Sequence, residues 1–286
     1  MSWVIEPLGY GFFARALLAA IIIGAMCGAM STFIVLRRMS YVGHGLAHSV
    51  LGGVAVGVAL GYDTYVGAIV ATLLSAVLID RVARRRGLHA DAAIGIVTTA
   101  FFAVGIAVVS MLESNRVNTE SILFGSPLAV TAADLWFGGA IAAAFSALLF
   151  AWYKPLLFTA FDPEVARVHG VRAGMMEALF NLMTAAVVIA SVRILGVLLV
   201  AAAVVIPAAL ARLVTNSFAP MLGLSTAVGV FSGVAGLYAS YHADVPSGAT
   251  IVLTGALLFA GVFALTFATG RSRVRRARAL AAYADH

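Results

Sequence analysis

Apolar residues run through this chain in long blocks, without the two-residue alternation of a half-buried strand or the single stripe of a surface helix. The blocks fall at roughly 11–36, 42–61, 63–81, 91–112, 131–153, 174–192, 195–213, 219–241 and 248–269. Each is about 20 residues long, enough to cross a hydrocarbon core about 30 Å thick as a helix. The predicted fold class is therefore all-α and polytopic, with about nine transmembrane helices, or eight if a broken helix is counted differently. The first block is too long for the apolar region of a secretory leader, and no basic residue precedes Arg15, so it is expected to be a span.

Composition agrees with the pattern: 63% of residues are hydrophobic and 10% charged, against roughly 25% charged in soluble domains. The net charge of +6 points to nucleic acid only until the charges are sorted by connector. Arg37 and Arg38 follow the first span, and Arg81, Arg84, Arg85 and Arg86 the third. Lys154, Arg167 and Arg172 follow the fifth, Arg212 closes the seventh, and Arg271, Arg273, Arg275, Arg276 and Arg278 follow the ninth. Of the 18 basic residues, only Arg15, Arg116 and Arg193 lie elsewhere. Basic residues mark cytoplasmic loops. The expected topology has the N-terminus outside and the C-terminus in the cytoplasm, and no nucleic-acid partner is expected. Cys27 is a single cysteine inside the first span, so a disulfide framework is absent.

The expected organisation is a membrane domain over 1–270, interrupted by a cytoplasmic segment at 154–173, and a basic tail over 271–286. In the segment, Asp162-Pro163-Glu164 reads as a helix start with Asp as N-cap and Pro in the first turn. Gly170 ends the short helix. Its mixed face of Glu164, Arg167 and His169 favours docking to a soluble partner over lying on lipid. Gly24/Gly28, Gly53/Gly57/Gly61 and Gly229/Gly233 have the spacing that lets helices approach closely. Pro207, inside an apolar block, is expected to kink its helix, with a gating role as one reading.

Ionisable residues inside apolar blocks are few, and His44 and His48 stand out. Four residues apart on a helix, they share one face, and two imidazoles so placed can share a metal ion. Hydrogen bonding between helices is the competing reading. The chain lacks HExxH and further histidine boxes, which argues against a membrane metalloenzyme. Its one lysine, Lys154, has no Gly-Lys-Ser/Thr context, so it holds no P-loop. Asp80, Asp91, Asp134 and Glu177 fall near span ends, which weighs against a relay of buried carboxylates. His242 with Asp244 is a candidate outer metal entry or a solvated loop pair. His89 with Asp91 is either an exit site or, more simply, a helix cap.

Four stretches resemble the permease subunits of bacterial zinc/manganese-type ABC importers. Arg37–Gly53 (RRMSYVGHGLAHSVLGG) is similar to that family's RRMSY-x-G-D-x-L-A-H-x-x-x-x-G. Leu123–Leu135 (LFGSPLAVTAADL), Gly196–Arg212 (GVLLVAAAVVIPAALAR) and Tyr241–Leu253 (YHADVPSGATIVL) resemble its further signatures. The resemblance implies a type II importer fold in the bacterial cytoplasmic membrane. It also implies a homodimer, two cytoplasmic ATPase subunits and an extracytoplasmic metal-binding protein, with ATP hydrolysis in the partner and none in this chain. It places ATPase coupling on the segment carrying Asp162, Pro163, Glu164, Ala166, Arg167 and Gly170. It puts His44 and His48 on the translocation path, with His44 standing where the family carries aspartate. Imidazole suits zinc, and manganese prefers oxygen ligands, so transported Zn2+ is expected over Mn2+, with no permanently bound cofactor. A stand-alone metal channel or ion-gradient-driven carrier is the alternative.

Overall fold

The computed structural model describes residues 6–83, 90–111, 125 and 130–284. Those residues form helices and no strand. After a 3-10 turn at Pro7–Gly9 come α1 (Gly11–Leu36), α2 (Tyr41–Ala59), α3 (Thr64–Ala83) and α4 (Ala90–Met111). Then follow α5 (Ala132–Phe161), α6 (Pro163–Val168), α7 (Ala173–Leu195), α8 (Val197–Ala203), α9 (Ile206–Val214), α10 (Phe218–Ala243) and α11 (Ser247–Ala284). Eight of these are long and apolar enough to cross a membrane. The broken pair α8–α9 contributes a shorter apolar stretch, Leu199–Val214. His89, Arg84–Arg86 and Arg116 lie outside the described residues.

Helix ends follow local chemistry. Thr131 and Asp134 form a capping box at the start of α5. Between α1 and α2 the chain reverses through Arg38 at φ 57°, with Met39 N–H donating to Ile34 O at 3.1 Å. Gly61 and Gly170, at φ 77° and 79°, do the same after α2 and α6, where a left-handed residue satisfies the last carbonyls.

Two helices differ from their expected course. α5 does not stop at 153 but continues to Phe161, with non-helical angles at Trp152 and Pro155 inside. The proline ring crowds the carbonyl four residues earlier, so the helix bends without ending. The connector to α7 is correspondingly short. The block at 195–213, in turn, is two helices. The ladder breaks at Val204–Val205, and Pro207 lies buried in the first turn of α9. There its missing N–H costs nothing. Pro207 therefore begins a helix; it does not kink a continuous one.

α1 packs along α10 and also against α5 and α7, while α2 packs between α3 and α4 and reaches α7 and α8. The glycine pairs meet one another. A methyl at Gly24 would lie 2.5 Å from Gly229 O, and one at Gly28 2.5 Å from Ser225 O. The α1–α10 seam therefore exists only with glycine at these positions. Gly53 and Gly57 likewise face Gly67 of α3. Trp136, Phe150, Leu257 and Leu265 are large apolar side chains exposed on the surface of the protomer. α11 runs past position 270 as one helix to Ala284.

The ends of the helices sort into two groups. Arg15 Nε donates to Val130 O at 3.3 Å, Tyr65 hydroxyl donates to Asp134, and Phe13 packs on Tyr238 and Tyr241. At the other end, Arg37, Thr159, Arg167, Glu177 and Arg212 line one cavity. The connectors read as basic from their residues after the first, fifth and seventh spans thus share one end of the molecule.

Candidate metal transit site

The histidine pair sits on α2, which the Arg38 turn starts at Tyr41. His44 is in the first turn. His48 is within about 3 Å of the helix midpoint at Val50, at about 1.5 Å per residue. Both imidazoles are half-buried, whereas the residues around them (Gly43, Gly45, Ala47 and Ser49) are buried. The pair therefore lies on the one face of this part of α2 that its own chain does not fully cover.

The rings converge. His44 Nε2 and His48 Nε2 are 2.9 Å apart, a hydrogen bond in which one ring donates and the other accepts. The ring planes are nearly perpendicular, at 87°, with centroids 4.4 Å apart. Phe102 of α4 meets the His48 ring edge-on at 4.7 Å, and Tyr41 approaches His44 at 6.4 Å. With metal–nitrogen bonds of about 2.0–2.1 Å, two donors at right angles on one ion stand about 2.9 Å apart. Two donors at the tetrahedral angle stand about 3.3 Å apart. The observed 2.9 Å lies close to these spacings, so the two nitrogens are near enough to become adjacent ligands of one cation once the shared proton has left.

Bound metal would push the remaining proton of each ring to Nδ1. Nδ1 of His48 is buried and has no hydrogen-bond partner. A resident metal site normally gives such a proton an acceptor, and loss of that acceptor costs about 10–100-fold in affinity. Among the described residues, moreover, no group of three His, Cys, Asp or Glu side chains is placed to hold an ion. The pair therefore offers two adjacent nitrogen donors and, within the described residues of one chain, no third.

Other expected site residues are spread through the fold. His242 and Asp244 are exposed at the end of α10, with His242 edge-on to Tyr241 at 5.2 Å and Asp244 left-handed at φ 53°. They do not join the pair in a metal cluster. At the opposite end, Asp162 Oδ1 accepts from the N–H groups of Glu164 and Val165 at 2.9 and 3.0 Å, and Pro163 occupies the first turn of α6. Ala166 is buried, while Val168 is 86% exposed and Arg167 faces solvent. The short helix therefore presents a mixed outer face, as its sequence predicts. Asp91 lies in the first turn of α4.

Sequence reasoning missed two partners. Phe102 carries no spacing signal linking it to His48. Arg37 reads only as a marker of the membrane surface, yet its Nη2 donates to Thr159 Oγ1 at 2.9 Å and its guanidinium lies 4.4 Å over the Phe180 ring. Burial lowers its pKa to about 10, opposed by Glu177, so it stays charged at neutral pH.

The described residues thus form a helical, multi-pass membrane protein with an imidazole pair on α2. The model of the ABC 3 transport family matches residues 9–266. The chain is 37% identical over 258 residues to the manganese transport system membrane protein MntC of Halalkalibacterium halodurans, covering 90% of this chain and 88% of that one. It is 34% identical over 264 residues to the chelated iron transport system membrane protein YfeC of Yersinia pestis, covering 92% and 89%. The structure of PsaBC from Streptococcus pneumoniae in complex with Fab superposes with a TM-score of 0.81 at 34% identity, over 92% of this chain and 94% of that one. A metal-chelate type ABC transporter in an inward-facing conformation shares the fold at 17% identity, with a TM-score of 0.73 over 88% and 85%. The chain belongs to the ABC 3 transport family, as a permease subunit of the metal ABC importer class.

Proposed function

We propose that this permease passes a divalent transition metal across the bacterial cytoplasmic membrane, with His44 and His48 as its transit contact. The observation that carries this reading is the pair itself: two Nε2 atoms 2.9 Å apart near the middle of α2, half-buried on the protomer surface. A homodimer would bring two such faces together and supply the donors that one chain lacks. Two cytoplasmic ATPases would dock on the segment at 162–172, with Val168 and Arg167 outermost. An extracytoplasmic metal-binding protein would deliver the ion at the end that carries His242 and Asp244. The charge pattern supports an outside N-terminus, a cytoplasmic C-terminus and a basic cytoplasmic tail. The break ahead of Pro207 is the proposed gate.

For the cargo, the finer reading is zinc over manganese. It rests on donor chemistry alone, since imidazole favours zinc; the named relatives are manganese and chelated-iron systems and lend zinc no support. The test is uptake into proteoliposomes holding the permease with its ATPase and binding protein. His48→Ala is expected to abolish ATP-dependent uptake at normal expression. Metal entry through the permease alone, without ATPase, would instead establish a channel or carrier.

A further inference from the structure

At the end of the molecule that carries α6, a cavity of about 820 Å³ opens between the ends of α1, α5 and α9 and the start of α7. Four guanidinium groups line it, those of Arg37, Arg38, Arg167 and Arg212, against one carboxylate, Glu177. The arginines come from three places in the chain, the adjacent pair Arg37-Arg38, Arg167 and Arg212, so the fold adds two distant charges to that pair. Inside it, Arg37 Nε is buried and has no hydrogen-bond partner, although Nη2 is satisfied by Thr159. Arg212 uses one nitrogen on Asn216 O at 3.3 Å. A guanidinium offers five donors in a fork that matches phosphate, and Arg37 Nε is one such donor left without a partner.

The walls are not uniformly polar. Leu36, Met39 and Phe161 also line the cavity, and Phe161 is 65% exposed, with exposed Phe158 and Val214 nearby on the same helices. A free anion gains nothing from such surface, whereas a headgroup whose chains continue along it does. Since α1, long and apolar enough to cross the membrane, ends here, the cavity lies at the membrane boundary, where anionic phospholipid is locally concentrated.

We propose that this cavity holds the phosphate of an anionic phospholipid headgroup, clamped by Arg37 and Arg212. The lipid would then join the ends of α1 and α9 to the segment that bears α6.

The test is native mass spectrometry of the full-length permease, purified in detergent and offered phosphatidylglycerol or phosphatidylcholine at equal concentration. Preferential retention of phosphatidylglycerol is expected. In Arg37→Gln/Arg212→Gln it should fall about thirtyfold, each arginine supplying about a fivefold factor. Because Arg37 is packed on Phe180, Arg38→Gln at an exposed position serves as the second variant, with about a fivefold loss. Arg273→Gln/Arg276→Gln, which removes the same charge from the tail, should leave the preference intact. Equal retention of the two lipids by the wild type, or equal loss in the tail variant, overturns the proposal. So does displacement of the lipid by millimolar inorganic phosphate, which would make the ligand a free anion. Retention that disappears once the partner ATPase is bound overturns it as well, by assigning the cavity to a protein contact.

Discussion

Where α1 meets α10, Ser31 Oγ and Ser225 Oγ lie 2.8 Å apart and each is within hydrogen-bond reach of Gly28 O, so one hydroxyl donates to that carbonyl and the other to the carbonyl or to its neighbour, across a contact that admits no side chain. On α2, only two imidazoles bond to each other, and His48 Nδ1 is left buried without a partner. Both clusters are polar groups among apolar helices. The first is closed and satisfied, and its chemistry is spent on holding two spans together. The second is half-open and unsatisfied, as a buried polar group is expected to be only where something else completes it.

Substitutions at the two places should therefore fail in opposite ways. The largest effect is expected from Gly28→Leu, which drives a side chain into the Ser225 backbone. Overpacking of this kind costs about 3 kcal/mol or more, and size-exclusion chromatography should show loss of the monodisperse protein. His48→Ala should leave that profile unchanged while lowering metal uptake at least about tenfold; a parallel loss of folded protein would make the pair structural, like the serines. His44→Asp should keep both fold and transport, and shift the zinc-to-manganese uptake ratio toward manganese by about tenfold. Unchanged selectivity would remove the chemical case for zinc. Ser31→Ala should cost about 1 kcal/mol in thermal unfolding, the net worth of one hydrogen bond, with uptake per folded molecule unaltered. The smallest effect is expected at Phe102→Leu, where the His48 ring loses an edge contact worth about 0.5–1.5 kcal/mol. Uptake should show a changed half-saturating metal concentration at similar maximal rate.

The spans were legible because uninterrupted apolar blocks leave little choice of structure, and α1 matches its block end for end. The pair was legible because imidazole in such a block has no bland neighbour, and α6 because Asp162, Pro163 and Gly170 each carry a local backbone preference. What could not be read was set by contacts distant in sequence. Proline alone does not distinguish a bent helix, as at Pro155, from a new one, as at Pro207, because the choice depends on what packs there. Arg37 looks like a solvated end marker until Thr159 and Phe180, far along the chain, fold over it. The run of α5 to Phe161 was hidden for the same reason, since Lys154-Pro155 has the local look of a stop.

The break between α8 and α9 touches the histidine helix directly. A methyl group at position 43 would lie 2.5 Å from Cγ2 of Val204, the residue at which α8 ends. The position before His44 is thus a steric gauge of that break: any side chain there pushes on Val204, and any shift of Val204 toward α2 is stopped by the Gly43 backbone. About 9 Å along α9 from Ile206, at 1.5 Å per residue, Arg212 reaches the cavity at the basic end. The nine-residue helix that opens just after the break beside the imidazole helix is therefore the one whose last turn lines the basic cavity.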